Sequence, residues 1–295
     1  MPISYVEPVF RPPSEWRSLI LQVANGCSWN NCTFCDMYTQ PQKKFRAKKI
    51  ADIEAEILSV VASGQKHQRV FLADGDAMTL PFKRLKEILL LIRKHMPHVQ
   101  RVSAYCLPRN IKSKSLAELY ELCNLGLGIV YVGCESGDDE VLALVEKGET
   151  YDSQLDALYK LKGAGIKTSV MILNGLGGTE FTEQHALNSA RLMNAAQPDY
   201  LSTLVVSFPL GQAKFSQNFV NGFQLPDQHG LFLEMQMLLE NLDLKNTVFR
   251  SDHASNYLSL KGTLGKDKAQ LLAQVRSAIE APELSPLRKE WQRGL

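Results

Sequence analysis

Apolar residues recur along this chain in two alternating rhythms. Strand-like runs at 18–23, 69–73, 100–105, 128–134, 167–173 and 200–207 alternate with stretches whose apolar positions fall three and four apart. Ile50, Ile53, Ile57, Val60 and Val61 make one helical face, closed by Gly64. Pro81 opens a second helix, with Leu85, Ile88, Leu89 and Ile92 on its apolar side. Ser115 and Glu118 form a capping box ahead of Leu116, Leu119, Leu122 and Cys123. Two further helices are predicted around 154–162 and 183–195. Each strand and helix together take about 30 residues, the length of a right-handed βαβ unit with parallel strands. Six such units predict an α/β fold, a partial (β/α)6 TIM-like barrel, with an open doubly wound sheet as the alternative.

Beyond residue 208 the rhythm is less regular, with helical stretches at 230–242 and 266–281. The expected organisation is an extended N-terminal arm over 1–17, carrying Pro2, Pro8, Pro12 and Pro13, then a core over 18–207. A C-terminal α-rich extension over 208–295 follows, covering the barrel and setting substrate choice. Hydrophobic residues are 45% and charged residues 22%, and Lys plus Arg (33) nearly balance Asp plus Glu (31). A net charge of +2 gives no reason to expect nucleic acid or an anionic membrane as partner, so a small-molecule substrate is favoured. The N-terminus has no basic and apolar signal segment, and no apolar run is long enough to span a bilayer, so a cytoplasmic location with reduced thiols is expected.

Against that background three cysteines stand out, in Gly26-Cys27-Ser28-Trp29-Asn30-Asn31-Cys32-Thr33-Phe34-Cys35. Three clustered thiolates with no close fourth ligand can hold a metal centre and leave one coordination position open. The next histidine is His67, so a local four-ligand zinc site is not evident, although a structural zinc protein is one rival reading. In a parallel barrel the loops after the strands form the active face. The cysteines follow strand one, Asp74-Gly75-Asp76-Ala77 follows strand two, and Pro108-Arg109-Asn110 follows strand three. Glu135-Ser136-Gly137-Asp138 follows strand four, where its carboxylates could equally favour a helix N-terminus. Asn174-Gly175-Leu176-Gly177-Gly178 follows strand five.

This combination resembles the radical S-adenosylmethionine (SAM) superfamily. Within it, the chain is most similar to the group of oxygen-independent coproporphyrinogen oxidases, methylthiotransferases and the Elongator catalytic subunit. Cys27, Cys32, Phe34 and Cys35 match the family's cysteine loop, and Val130–Gly137 resembles its fourth-strand signature. The spacing departs from the commonest one by an extra residue between the first two cysteines. The resemblance implies a [4Fe-4S] cluster on the three cysteines, with SAM on the open iron. It implies reductive cleavage of SAM to a 5′-deoxyadenosyl radical that acts on an unidentified substrate. A catalytically degenerate scaffold acting as a binding or regulatory protein is a further rival.

The resemblance also suggests roles for the loop residues. Asp74, Gly75 and Asp76 would meet the SAM ammonium, Arg109 the SAM carboxylate, Glu135 and Ser136 the ribose. Phe34, Asn174 and Gly175 would flank the adenine. Tyr105, His253, Asn256 and Tyr257 are the candidate substrate contacts, and a capped loop is the competing reading of 249–257. The basic run Lys43-Lys44-Phe45-Arg46-Ala47-Lys48-Lys49 is read either as a solvated lead-in or as a docking patch for an electron donor such as flavodoxin or ferredoxin. Cys106, Cys123 and Cys134 are read as buried structural thiols.

Overall fold

The computed structural model describes residues 3–294, so the first two positions of the arm and the last of the extension lie outside the described residues. Eight strands form a sheet in chain order. They are β1 (Leu19–Gln22), β2 (Arg69–Ala73), β3 (Arg101–Cys106), β4 (Leu127–Glu135), β5 (Lys167–Asn174), β6 (Tyr200–Val205), β7 (Val248–Ser251) and β8 (Leu260–Thr263). The order is open, as a partial barrel requires. Helices α1 (Ile50–Ala62), α2 (Phe82–His95), α3 (Leu116–Asn124), α4 (Tyr151–Gly163), α5 (Thr182–Ala196), α6 (Gln228–Asn241) and α7 (Lys268–Glu280) connect or follow the strands. The alternation is the one the apolar rhythm predicts.

Contacts divide the chain into two compact units. The first comprises Met1–Asn30, Met37–Gly133 and Asp156–Thr168, and the second Asn31–Asp36, Cys134–Leu155 and Ser169–Leu295. In the first unit β1, β2, β3 and β4 pair in parallel, with Leu21 opposite Leu72, Leu72 opposite Ala104 and Ala104 opposite Val130. Strands covered on both faces read as apolar runs, and Val70, Phe71, Leu72 and Ala73 are indeed all fully buried. On α2, Leu85, Ile88, Leu89 and Ile92 are buried, while Arg93, Lys94 and His95 end the helix, where cations complement its dipole. Pro81 is the residue before α2 rather than its first turn.

The arm is not a loose tail. Ile3 is buried, Tyr5 donates to Ile20 O, and buried Glu15 accepts hydrogen bonds from Ser18, Tyr131 (2.6 Å) and Arg101 (2.5 Å).

In the second unit β5, β6 and β7 pair in parallel, and β8 returns antiparallel to β7. The extension is therefore not only helical. Residues Val248–Ser251 form a strand of four residues with Phe249 and Ser251 buried, although a capped loop is one of the two sequence readings of 249–257. Alternation over so short a run is too brief to separate from a turn, and pairing with β6 decides it. Among the described residues no helix is long and apolar enough to cross a membrane.

The capping box is formed as expected: Ser115 Oγ accepts from Glu118 N (3.2 Å) and Ser115 N donates to Glu118 Oε2 (2.8 Å). Ser115→Ala is expected to lower stability by about 1 kcal/mol in urea unfolding; an unshifted midpoint would show that packing of α3 makes the cap redundant.

Candidate functional site

In the first unit the loop after β2 lies against the start of the cysteine loop. A side chain at Gly75 would place its Cβ 2.6 Å from Gly26 O and 2.7 Å from Cys27 Cα, so glycine is required by contact. Asp76 is buried and accepts from Ser28 N (2.8 Å), Ser28 Oγ and Asn110 Nδ2 (3.1 Å). Burial raises its carboxyl above the ordinary range, and hydrogen bonds from Ser28, Asn110 and Cys27 pull it back. Asp76 therefore fixes the residues beside the first cysteine. Asp74 is fully buried, and its Oδ2 takes an ion pair from Lys43 and hydrogen bonds from Gln22 Nε2 (3.0 Å) and Gly26 N (3.2 Å). Its Oδ1 is buried with no partner among the described residues.

These contacts correct one sequence expectation. Lys43 cannot belong to an exposed docking patch, because its side chain is fully buried against Asp74; Lys44, Phe45 and Arg46 are exposed. A run of basic residues reads as solvated only until one of them finds a buried carboxylate. Arg109 lies with its guanidinium 3.6 Å from the Trp29 ring centroid, a cation–π contact to the cysteine loop itself. Tyr105 packs edge-on against Phe71 (5.1 Å) and Tyr131 (6.2 Å), and burial raises its hydroxyl.

In the second unit Cys32 is buried and Cys35 partly so, with Cys35 N donating to Cys32 O (3.3 Å). Thr33 N donates to Val145 O (3.0 Å) and Lys214 Nζ to Cys32 O (3.4 Å). Phe34 packs on an apolar cluster that includes Val141, Leu176, Phe215 and Phe223. Burial pushes the Cys32 thiol up to about 11, with Lys147 pulling it back. Lys147, which no sequence motif singled out, is buried 3.1 Å from Glu135 Oε1 and 5.7 Å from the Phe34 ring centroid. Glu135 takes a left-handed backbone conformation, φ +68°. Ser136 is fully buried; its hydroxyl donates to His185 Nδ1 (2.8 Å) and accepts from Asp138 N (3.0 Å), so it faces the interior of this unit. Asp138 caps the following short helix through Val141 N, which is the helix-start role the sequence left open.

After β5, Asn174 is buried with Oδ1 unpartnered among the described residues. It lines a cavity of about 20 Å³, room for one water, beside Ser251 and Asn256. Gly175 (φ +80°) donates its N–H to Glu234 Oε1 (2.7 Å). Burial raises Glu234 to about 8 and lowers His185 to about 4, so the two, 3.8 Å apart, are neutral near pH 7 and form no ion pair. The candidate substrate residues of the extension are engaged by β6 or by the extension itself. Asn256 accepts from Val205 N (2.9 Å) and donates to Thr203 O (2.9 Å) and Ser251 Oγ (3.1 Å). His253 Nδ1 bonds Ser255, and Tyr257 donates to Glu290 beneath the Arg293 guanidinium.

Cys27 thus belongs to the first unit and Cys32 and Cys35 to the second. Among the described residues no group of three or more His, Cys, Asp or Glu side chains is arranged to hold a metal ion, and no disulfide occupies the cysteines. The donor chemistry still fits an iron–sulfur group. Three thiols lie on one short loop, and within the first unit a side-chain-free glycine adjoins the first of them. Cys106 and Cys134 are buried and Cys123 is half-buried.

Comparison with known proteins gives one consistent direction. The profile of the Radical SAM superfamily matches residues 21–193. A Methanocaldococcus jannaschii protein with the provisional name methylthiotransferase MJ0865 is 25% identical over 159 residues, covering 52% of this chain and 34% of its own length. The chain thus spans about a third of that curated relative. Among solved structures, the radical SAM methyltransferase TsrM of Kitasatospora setae has a TM-score of 0.55 at 18% identity, covering 88% of this chain and 61% of that one. Coproporphyrinogen III oxidase HemN of Escherichia coli has a TM-score of 0.56 at 16% identity, covering 76% and 51%. At these identities the likeness is one of fold.

The neutral Glu234 gives a pH-dependent prediction. Its folded pKa exceeds the unfolded value, so its contribution to stability is greatest below about pH 4.5 and is lost as pH rises toward about 8. His185 acts in the opposite direction between about 4 and 6.5, so a difference measurement is needed. Glu234→Gln is expected to gain stability relative to wild type as urea unfolding is moved from pH 5 to pH 8; a constant difference would mean that Glu234 is ionised when folded.

Proposed function

Because the chain belongs to the radical SAM superfamily, we propose that it is an enzyme that binds a [4Fe-4S] cluster through Cys27, Cys32 and Cys35 and cleaves SAM reductively. When bound and reduced, the cluster would supply the one electron that cleaves the SAM sulfonium to methionine and a 5′-deoxyadenosyl radical able to abstract hydrogen from substrate. The observation that carries this reading is the close approach of the Gly75 turn to Cys27, with Asp76 holding Ser28 beside it. It joins the cysteine loop to the loop after β2, the two parts that the resemblance assigns to cluster and SAM.

The roles of the chain's residues follow from what each has available. Asp74 Oδ1 and the backbone of residues 74–77 offer acceptors for an ammonium. Asp74 Oδ2 and Asp76 are already engaged, so they act by fixing the loop. Arg109, held over Trp29, remains the candidate for the SAM carboxylate. Glu135 remains the ribose candidate, its carboxylate held by Lys147, while Ser136 positions the turn through His185. Asn174 Oδ1 and Gly175 remain the adenine candidates, with Phe34. The division into arm (1–17), core (18–207) and extension (208–295) is kept as a division of labour. Small-molecule substrates suit the balanced charge.

Anaerobic reconstitution separates this reading from its rivals. Wild type is expected to bind four iron and four sulfide per chain, the stoichiometry of a [4Fe-4S] group, and to release 5′-deoxyadenosine from SAM after reduction, and Cys32→Ala to do neither. Tightly bound zinc and no colour would establish the structural-metal reading, and a bound cluster without SAM cleavage the degenerate one. The donor-docking patch is now Lys44, Phe45 and Arg46. The pair Lys44→Glu and Arg46→Glu is expected to slow reduction by flavodoxin about tenfold at low salt and less at high salt. An unchanged rate at low salt would remove the patch.

A further inference from the structure

The two ends of the cysteine loop meet at one buried carboxylate. At its start, Gly26 N donates to Asp74 Oδ2 (3.2 Å); at its end, Lys43 ion-pairs with the same oxygen, and both side chains are fully buried. Between them Asn25 Nδ2 donates to Gln42 O (2.7 Å) and Lys44 O (2.9 Å), and Ala24–Asn25 pairs antiparallel with Arg46–Ala47. The approach is too close for a side chain: a Cβ on Gly26, whose φ is +71°, would lie 1.8 Å from Lys43 O. The N-terminal arm closes the remaining side. Val6 O accepts from Lys43 Nζ (2.7 Å) and Gln22 Nε2 (3.2 Å), Val6 N donates to Gln22 Oε1 (3.0 Å), and Gln22 Nε2 also reaches Asp74 Oδ2 (3.0 Å).

We propose that the Lys43–Asp74 pair is a pin that sets the neck of the cysteine loop, and that Val6 of the arm is a working part of it. Parting the neck separates a buried ammonium from a buried carboxylate, which is far costlier than parting the backbone hydrogen bonds of a two-residue hairpin. Lys43 and Asp74 are then positioning residues for the thiols, and the arm is coupled to the loop although it carries none of them. Adjacent Lys44 is exposed, so the register of the chain at residues 41–43 decides which lysine enters. The relevance of the pin to a cluster rests on the function proposed above, but its existence does not.

It is therefore tested first on the metal-free full chain, by amide hydrogen exchange. Wild type is compared with Lys43→Met, Asp74→Asn, the double variant and a chain lacking residues 1–9. Exchange across 24–47 is expected to quicken by about tenfold or more in each variant, the double being no faster than the faster single one, while amides of α5 and α6 keep wild-type rates. Unchanged exchange across 24–47, multiplied effects in the double variant, or an equal rise in α5 and α6 would overturn the pin, the last marking a purely global loss of stability. If Lys43→Met does not fold, the double variant, which leaves no unpaired charge, and the truncated chain make the same comparison. Iron and sulfide retained after reconstitution are expected to fall in step with neck exchange. Full retention by loosened variants would overturn the positioning role, whereas failure of wild type to bind a cluster would overturn the proposed function and leave the pin standing.

Discussion

A carboxylate buried away from water has to be matched, and the chain meets that constraint at Asp74 by drawing four residues toward the end of β2. Lys43, Gln22, Gly26 and, through Lys43 and Gln22, Val6 and the arm all converge there. Removing one partner of a buried ion pair generally costs roughly 3–5 kcal/mol, so this node is expensive to disassemble. Its consequence is positional. The loop that carries the cysteines leaves β1 and returns through the same point, and the turn that follows Asp74 is pressed against Cys27. The nearby carboxylate Asp76 then fixes Ser28 and bonds Asn110, so two acidic residues separated only by Gly75 hold different parts of the cysteine loop.

The second unit uses burial differently. Lys147 and Glu135 form a charged pair beside Cys32 and Phe34, and Lys147 counters the burial that keeps the Cys32 thiol protonated. A metal centre at that thiol would displace its proton outright. Glu234 and His185, by contrast, are kept neutral, and they support Gly175 and Ser136 without introducing charge. Charge is thus present beside Cys32, Phe34 and Glu135, and absent where Glu234 supports Gly175.

Much of the fold was legible because its signals are local. The apolar runs of β2 and β5, the helical face of α2 and the Ser115–Glu118 box each lie within one short window. The cysteine loop was legible because its residue types are rare and close together. What could not be read depends on pairing across the chain. Lys43 meets Asp74 across 31 positions, and Lys147 meets Glu135 from the far side of a short helix. Val248–Ser251 becomes a strand only beside β6, and Asn256 is claimed by the backbone of that strand. In each case the local pattern allowed a solvated or loop residue, and a distant partner decided otherwise.

Membership of the superfamily and the arrangement of the loops make one claim central: three cysteines hold a cluster with an iron left open for SAM. The most direct measurement is Mössbauer spectroscopy of chain reconstituted anaerobically with ⁵⁷Fe, recorded with and without SAM. One iron site of the cluster is expected to change its signal when SAM is added while the others stay as they were. A spectrum indifferent to SAM, or a chain that retains no cubane cluster at all, would contradict the claim.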